Sequence, residues 1–254
     1  EDGTETGDAK ELIQFYKTIA RTDPPYIVGT WDECECIKVF YNTFISNKIS
    51  FVNMIQDVAE KQGNINVDVV TGALCQAGTR IINSSYMTAG MGDGGACHPR
   101  DNIALRFLAK KLELGYDLFE GIMLSREEQA KNLAKRLVEL ALENRMSIVI
   151  HGKAYKPRVS YIEGSYGLLV GHFCKELCGS VELSYVDKCT GDTYDSDKPA
   201  VFLLAHSATT TYRYWDNPDS DELYCEIPEG SIVVDPWRKF TSDTLEVIHY
   251  GKTR

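Results

Sequence analysis

The sequence predicts an α+β chain, an all-α part built around one long helix followed by an α/β part with a mainly parallel sheet. Three observations carry this. From Trp31 to about Gln62 almost no helix breaker interrupts the chain. Over that stretch Ile37, Phe40, Tyr41, Phe44, Ile45, Ile49, Phe51, Val52, Ile55 and Val58 wrap most of the circumference, as in a helix covered on several sides in a bundle or a dimer interface. At Met146 the periodicity shortens to buried-strand runs, and these alternate with helical segments, the order that builds parallel sheets.

Taken in order, residues 8–21 place Leu12, Ile13, Phe15, Tyr16 and Ile19 on a broad helical face. Pro24-Pro25 ends that helix, and Tyr26–Thr30 reads as a short strand. Thr30 or Asp32 caps the long helix. On it Lys38 and Asn42 stand at i and i+4, stacked on one face among apolar neighbours, where a lysine and an amide are costly to bury unless something binds them. Val67–Arg80 is a shorter helix, and Ile81–Gly90 leads into a glycine-rich loop. Ile103–Leu112 and Glu127–Glu143 are amphipathic helices, the second opened by Ser125-Arg-Glu-Glu128 as a capping box. Ser147–His151 is then a buried strand closed by Gly152, followed by a helix at Gly167–Leu177 and strands at Val181–Val186, Ala200–Ala205, Ser231–Val234 and Leu245–His249. The result is a Rossmann-like second part, whose ligand belongs off the carboxyl ends of the strands. Those ends are His151-Gly-Lys-Ala-Tyr-Lys156, His206-Ser207 and Asp235-Pro-Trp-Arg238, each carrying polar or cationic groups suited to an anion.

The glycine-rich loop is Gly92-Asp-Gly-Gly-Ala-Cys97-His-Pro-Arg-Asp101. Glycine lets the backbone turn tightly and a ligand approach closely. A cysteine ending such a loop is a candidate nucleophile. Pro99 suits a first helical turn, which would put Cys97 at the positive end of a helix dipole.

Bulk composition narrows the partners. The 254 residues are 43% hydrophobic and 25% charged, ordinary for a soluble globular protein. A formal charge of −10 argues against nucleic acid and anionic membranes, while leaving room for an anionic small ligand in a local positive pocket. No apolar run is long enough for a membrane span, and the acidic start Glu1–Asp8 is not a signal peptide. Eight scattered cysteines lack zinc-site spacing and a secretion signal, so a metal site and a disulfide framework are not expected, and a reducing cytoplasm is.

Three blocks of this chain, in this order, resemble the nucleotide-sugar 6-dehydrogenases, the UDP-glucose and GDP-mannose dehydrogenase family. Gly92–Asp101 is similar to the pattern G-x-G-G-S-C-x-x-K-D, with Ala for Ser and Arg100 for Lys. Lys38-Val-Phe-Tyr-Asn42-Thr-Phe resembles K-x-x-x-N-x-F, and Gly152-Lys-Ala-Tyr155-Lys156 resembles G-x-A-F-K. The resemblance implies an enzyme that oxidises the C6 alcohol of a sugar nucleotide to a carboxylate with NAD, through a cysteine thiohemiacetal and a thioester. It makes Cys97 the nucleophile, with Asp101, Lys38 and Asn42 handling the water and the oxyanion. Lys156, Tyr155, Arg80, Arg238, Gly94 and Gly95 would meet the substrate, Arg80 being lent to the partner subunit's site.

It also implies a division of the chain. Residues 1–30 would be the end of an NAD-binding domain, 31–115 a central helical domain forming a homodimer, 116–145 a connecting helix, and 146–254 the nucleotide-sugar-binding α/β domain. No glycine-rich dinucleotide fingerprint follows an N-terminal strand, so the chain resembles a fragment whose NAD domain is absent. The family's D-x-R-E-S segment appears here as Tyr161-Ile-Glu-Gly-Ser165, without the arginine. A non-catalytic sugar-nucleotide-binding or dimerisation module is the alternative, and the sequence does not choose among glucose, mannose and their N-acetyl relatives.

Overall fold

In a computed structural model the described residues are 5–77, 89–92, 97–111, 117–207 and 226–253. They divide into two compact units, Glu1–Phe44 and Ile45–Arg254, with the boundary inside the long helix.

In the first unit α1 spans Gly7–Ile19, capped by Thr6, whose hydroxyl accepts the Ala9 N–H at 3.2 Å. None of its residues is buried, and Leu12, Phe15, Tyr16 and Ile19 are exposed. Tyr26–Thr30 forms no strand, correcting the expectation. A strand needs a neighbour for its N–H and C=O groups, and none of the five described strands comes from this unit. The helix α2 spans Trp31–Gln62. Of its two candidate caps Thr30 is the one used: its hydroxyl accepts the Glu33 N–H at 3.2 Å, and Glu33 Oε2 accepts the Thr30 N–H at 2.8 Å. That reciprocal pair is a capping box.

The second unit holds the rest of α2, then α3 (Val67–Gln76), α4 (Cys97–Lys111), α5 (Leu118–Asn144), β1 (Ser147–His151), α6 (Tyr166–Leu177), β2 (Leu183–Val186), β3 (Ala200–Leu204), β4 (Ile232–Asp235) and β5 (Glu246–His249). The five strands form one all-parallel sheet in the order β2-β1-β3-β4-β5. The two-residue period sorts the strands' side chains to two faces. Ile148, Ile150, Val201, Leu203, Ile232 and Val234 meet Ala130, Leu133, Leu137 and Ala141 of α5 and Val170 and Cys174 of α6. Val149, Phe202, Leu204 and Val233 pack on the other face with Phe240 and Leu245. Both faces are therefore buried, which is why these strands read as continuous apolar runs.

The α5 helix starts earlier than its sequence suggests. Asp117 caps it, its Oδ1 accepting the N–H groups of Phe119 and Glu120 at 3.0 Å. Ser125 lies inside the helix and donates to Gly121 O at 2.6 Å, so the expected capping box at 125–128 does not open it. After β5 the chain returns to α2: Tyr250 Oη donates to Asp57 Oδ1 at 3.0 Å and Gly251 N–H to Glu60 Oε2 at 3.1 Å. Burial of this junction pushes the Asp57 carboxyl and the Tyr250 phenol up from their ordinary values. No helix among the described residues is long and apolar enough to cross a membrane.

Candidate functional site

The sheet order reverses between β1 and β3, and the carboxyl ends of those strands open into a pocket of about 170 Å³. That is where a ligand sits in open α/β sheets, because the two neighbouring crossovers leave the sheet in opposite directions. Its floor is set by residues that follow each strand. Gly152, after β1, has φ +109, and a Cβ there would lie 2.8 Å from the ring of His206. Asp187 ends β2, is 1% exposed, and accepts the N–H groups of Lys153 at 2.9 Å and Ala154 at 2.8 Å, which fixes the turn after β1. Lys153 is thereby turned away to an ion pair with Asp192 at 2.9 Å.

His206, after β3, is paired through Nε2 with the Ala154 carbonyl at 2.8 Å. A carbonyl only accepts, so Nε2 carries the proton. Burial lowers the basicity of this ring, and His151 behind it is pushed down to about 4 by burial and by the neighbouring His206. Both imidazoles are neutral at physiological pH. Asp235, the last residue of β4, is fully buried and accepts from Trp237 N at 2.9 Å, Lys239 N at 2.6 Å and Phe240 N at 2.7 Å. This turns Trp237 back over β3, where its indole N–H donates to Leu204 O at 3.0 Å.

The opposite wall is the first turn of α6. Ser165 caps that helix through the Leu168 N–H at 3.1 Å, and a Cβ on Gly167 would lie 2.5 Å from the Gly152 carbonyl, so helix and strand end approach as closely as a glycine permits. Lys156 and Tyr155 complete the lining, with Lys156 Nζ 5.1 Å from the centre of the Tyr155 ring. A helix N-terminus, one lysine and the rings of Tyr155, Tyr166 and Trp237 suit a ligand with an anionic part and a flat apolar part.

Cys97 opens α4 as its first helical residue and is exposed. Asp101 lies one turn further on, 5% exposed. The exposed Arg100 reaches back to Asp101 Oδ1 through Nε at 2.9 Å and Nη2 at 2.8 Å. The Asp101 carboxylate, and after it the neighbouring Cys97, holds the Arg100 guanidinium still more firmly in its charged form. His98 Nδ1 pairs with Ser46 Oγ at 2.5 Å, and Asn102 donates to the His98 carbonyl at 2.8 Å, so the first turn is anchored to α2 and to itself.

The expected site residues thus fall into groups. Cys97 and Asp101 share a face of α4 at i and i+4. Lys156 and Tyr155 line the pocket. Lys38 and Asn42 lie one turn apart on α2 in the first unit, Lys38 exposed and Asn42 half-buried. Arg80, Gly94 and Gly95 fall outside the described residues. Arg238 does not line the pocket. Its side chain is 1% exposed, with Nε 2.9 Å from Asp68 Oδ1, Nη2 donating to Ala89 O at 2.7 Å, and a further bond to Pro236 O. His206 and Trp237 lie on strand ends that the sequence marks as ligand-facing, whereas Tyr166, which opens α6, carries no sequence signal beyond its position.

Residues 32–127 match the UDP-glucose/GDP-mannose dehydrogenase family, central domain. The chain is 32% identical over 124 residues to UDP-glucose 6-dehydrogenase YwqF of Bacillus subtilis, covering 48% of this chain and 28% of that protein. It is 28% identical over 172 residues to the UDP-glucose 6-dehydrogenase of Rhizobium meliloti, covering 66% and 38%. A GDP-mannose 6-dehydrogenase of Pseudomonas putida is 29% identical over 134 residues, covering 53% and 30%. The chain therefore spans about a third of the length of the curated relatives it matches. Its fold is that of a UDP-D-ManNAc dehydrogenase of Pyrococcus horikoshii, TM-score 0.67 at 21% identity, over 97% of this chain and 58% of that one. A UDP-glucose dehydrogenase of Pyrobaculum islandicum gives 0.59 at 22%, over 91% and 53%.

Proposed function

We propose that the chain, whose residues 32–127 match the UDP-glucose/GDP-mannose dehydrogenase family, central domain, is part of a nucleotide-sugar 6-dehydrogenase. The observation that carries the reading is Cys97 at the first position of α4 with the buried Asp101 one turn behind it. In this reading the pocket off β1 and β3 takes the sugar nucleotide, Lys156 and the α6 N-terminus meeting the diphosphate and the aromatic rings the base. The Cys97 sulfur bonds to the carbon of the sugar's C6 aldehyde, whose oxygen takes up a proton, giving a thiohemiacetal. In the whole protein, hydride loss from that adduct to an acceptor bound outside the described residues would leave a thioester, and addition of water beside Asp101 would release the carboxylate and the free thiol. The resemblance assigns to Lys38 and Asn42 the roles of a cation for the developing oxyanion and of its hydrogen-bonding neighbour.

Both oxidations need a hydride acceptor, which the resemblance names as NAD. The described residues do not fit one: the turns after the five strands carry no glycine-rich dinucleotide loop, and the turn after β1 is filled by Asp187 and His206. The proposed activity accordingly belongs to a whole protein of the relatives' length, and no hydride step is assigned to residues of this chain. The same reading makes the protein a homodimer through the helical part.

The test has two arms. This chain should melt higher with one of UDP-glucose, a UDP-N-acetyl sugar or GDP-mannose than with the bare nucleotide, by mass action on the folded state. In the whole protein Cys97→Ser should abolish carboxylate formation; wild-type turnover in that variant overturns the assignment of Cys97. The alternative, a non-catalytic binding or dimerisation module, shares the melting shift and predicts no turnover from the wild type.

A further inference from the structure

Ser46 and Asn53 stand seven residues apart on α2, hence on one face, and are 0% and 5% exposed. A hydroxyl and an amide are costly to bury unless paired. Both are paired, and with the two ends of the segment that carries Cys97. Asn53 Oδ1 accepts the Gly90 N–H at 3.1 Å, and its Nδ2 donates to Gly92 O at 3.5 Å. Ser46 Oγ holds His98, next to Cys97, at 2.5 Å.

The other side of the same backbone is laid against the pocket. A Cβ on Gly90 would lie 2.1 Å from the Trp237 ring, and one on Gly92, at φ +70, would lie 2.9 Å from the Tyr166 ring. Both rings line the pocket, and both are fixed from behind, Trp237 by Leu204 O and Tyr166 by its Oη donating to Arg126 O at 3.1 Å. Only glycine leaves the rings and this backbone in contact. A ligand pressing on the pocket faces of those rings bears on Gly90 and Gly92, the residues that Asn53 holds from the other side.

We propose that Ser46 and Asn53 are positioning residues for Cys97, holding from α2 a backbone whose opposite side is held by Trp237 and Tyr166, so that filling the pocket steadies the thiol. The meaning of this coupling rests on the function proposed above; the coupling itself is read without turnover. The probe is UDP, which has no sugar to reach the thiol. Deuterium exchange of the peptide containing Gly92 and Cys97, and iodoacetamide alkylation of Cys97 read by mass spectrometry, are followed with and without UDP. The peptide around Cys189, an exposed cysteine after β2, is the control.

In the wild type UDP slows both processes at Cys97 and neither at Cys189. Asn53→Ala speeds ligand-free exchange at the Cys97 peptide about tenfold, the effect of losing two hydrogen bonds, and removes the UDP effect while UDP still raises the melting temperature. Ser46→Ala acts in the same direction. Asn53→Asp, which keeps the acceptor for Gly90 and loses the donor to Gly92, falls between, and carries the test if Asn53→Ala does not fold. UDP protection that survives in the variants, or exchange that rises equally at Cys189, overturns the proposal. If UDP does not raise the wild-type melting temperature, the nucleotide reading of the pocket fails, and unchanged ligand-free exchange in the variants would still overturn the positioning role by itself.

Discussion

The histidine behind the pocket makes the fold acid-sensitive. His151 is fully buried, and burial with His206 beside it brings its basicity down from 6.5 to about 4. Between those values an unfolded chain takes up a proton that the folded chain refuses, so the stability present above about pH 6.5 is lost as pH falls toward 4. The contribution at stake is about 3 kcal/mol. His206 is lowered for the same first reason and adds in the same direction. His151→Gln, which does not titrate, should flatten the fall in urea-unfolding free energy between pH 7 and pH 4.5 without abolishing it; a slope equal to the wild type's would mean that His151 is not the titrating group. This residue could not have been singled out from sequence. His151 was legible as a strand end facing a ligand, whereas its full burial depends on Asp187 and His206, which arrive from two other strands.

At the scale of elements, the sequence is most legible where one periodicity acts alone. The 31–62 helix and the five strands, within a residue or two, follow from apolar spacing, and the parallel sheet from the alternation of strands with helical segments. Helix starts were less legible, because several Ser, Thr and Asp residues compete to cap and only the packing selects one. At α2 the sequence offered Thr30 and Asp32, and the Thr30–Glu33 pair took the position. At α5 it offered Ser125-Arg-Glu-Glu128, but the helix continues back to Asp117, which also holds Arg106 Nε at 2.9 Å. This predicts opposite outcomes for two substitutions. Asp117→Ala should lower the denaturation midpoint, since it removes a cap that serves two N–H groups. Ser125→Ala, inside a helix and bonded only to the Gly121 carbonyl, should change the unfolding free energy by less than about 0.5 kcal/mol. Equal losses in chemical denaturation would restore the start that the sequence suggested. The pocket was legible only as a location: parallel strands place it at their carboxyl ends, but which rings and glycines meet there depends on the α6 approach and the Asp235 turn.

For the whole molecule, the apolar outer row of α2 leads to a prediction of association. Its polar residues Ser46 and Asn53 are buried, while Ile37, Phe44, Phe51 and Val58, also seven residues apart, are each roughly half exposed. The two series are offset by two residues, about 200° around a helix, so they occupy opposite faces. An apolar row at heptad spacing on the outer side is the pattern of a helix that packs on a partner helix, and exposed apolar surface of this extent marks an interaction site rather than a solvated face. A second copy of the chain is the partner that the proposed function requires. The chain is then expected to sediment as a dimer. Phe51→Glu combined with Val58→Glu should shift it to a monomer, because each charge would have to be buried against its own symmetry mate near the helix axis. Since neither residue belongs to the two apolar layers of the sheet, the monomer should keep the wild type's far-ultraviolet circular dichroism and its melting response to UDP. A wild-type chain that sediments as a monomer, or a double variant that remains a dimer, would overturn this use of the outer face of α2.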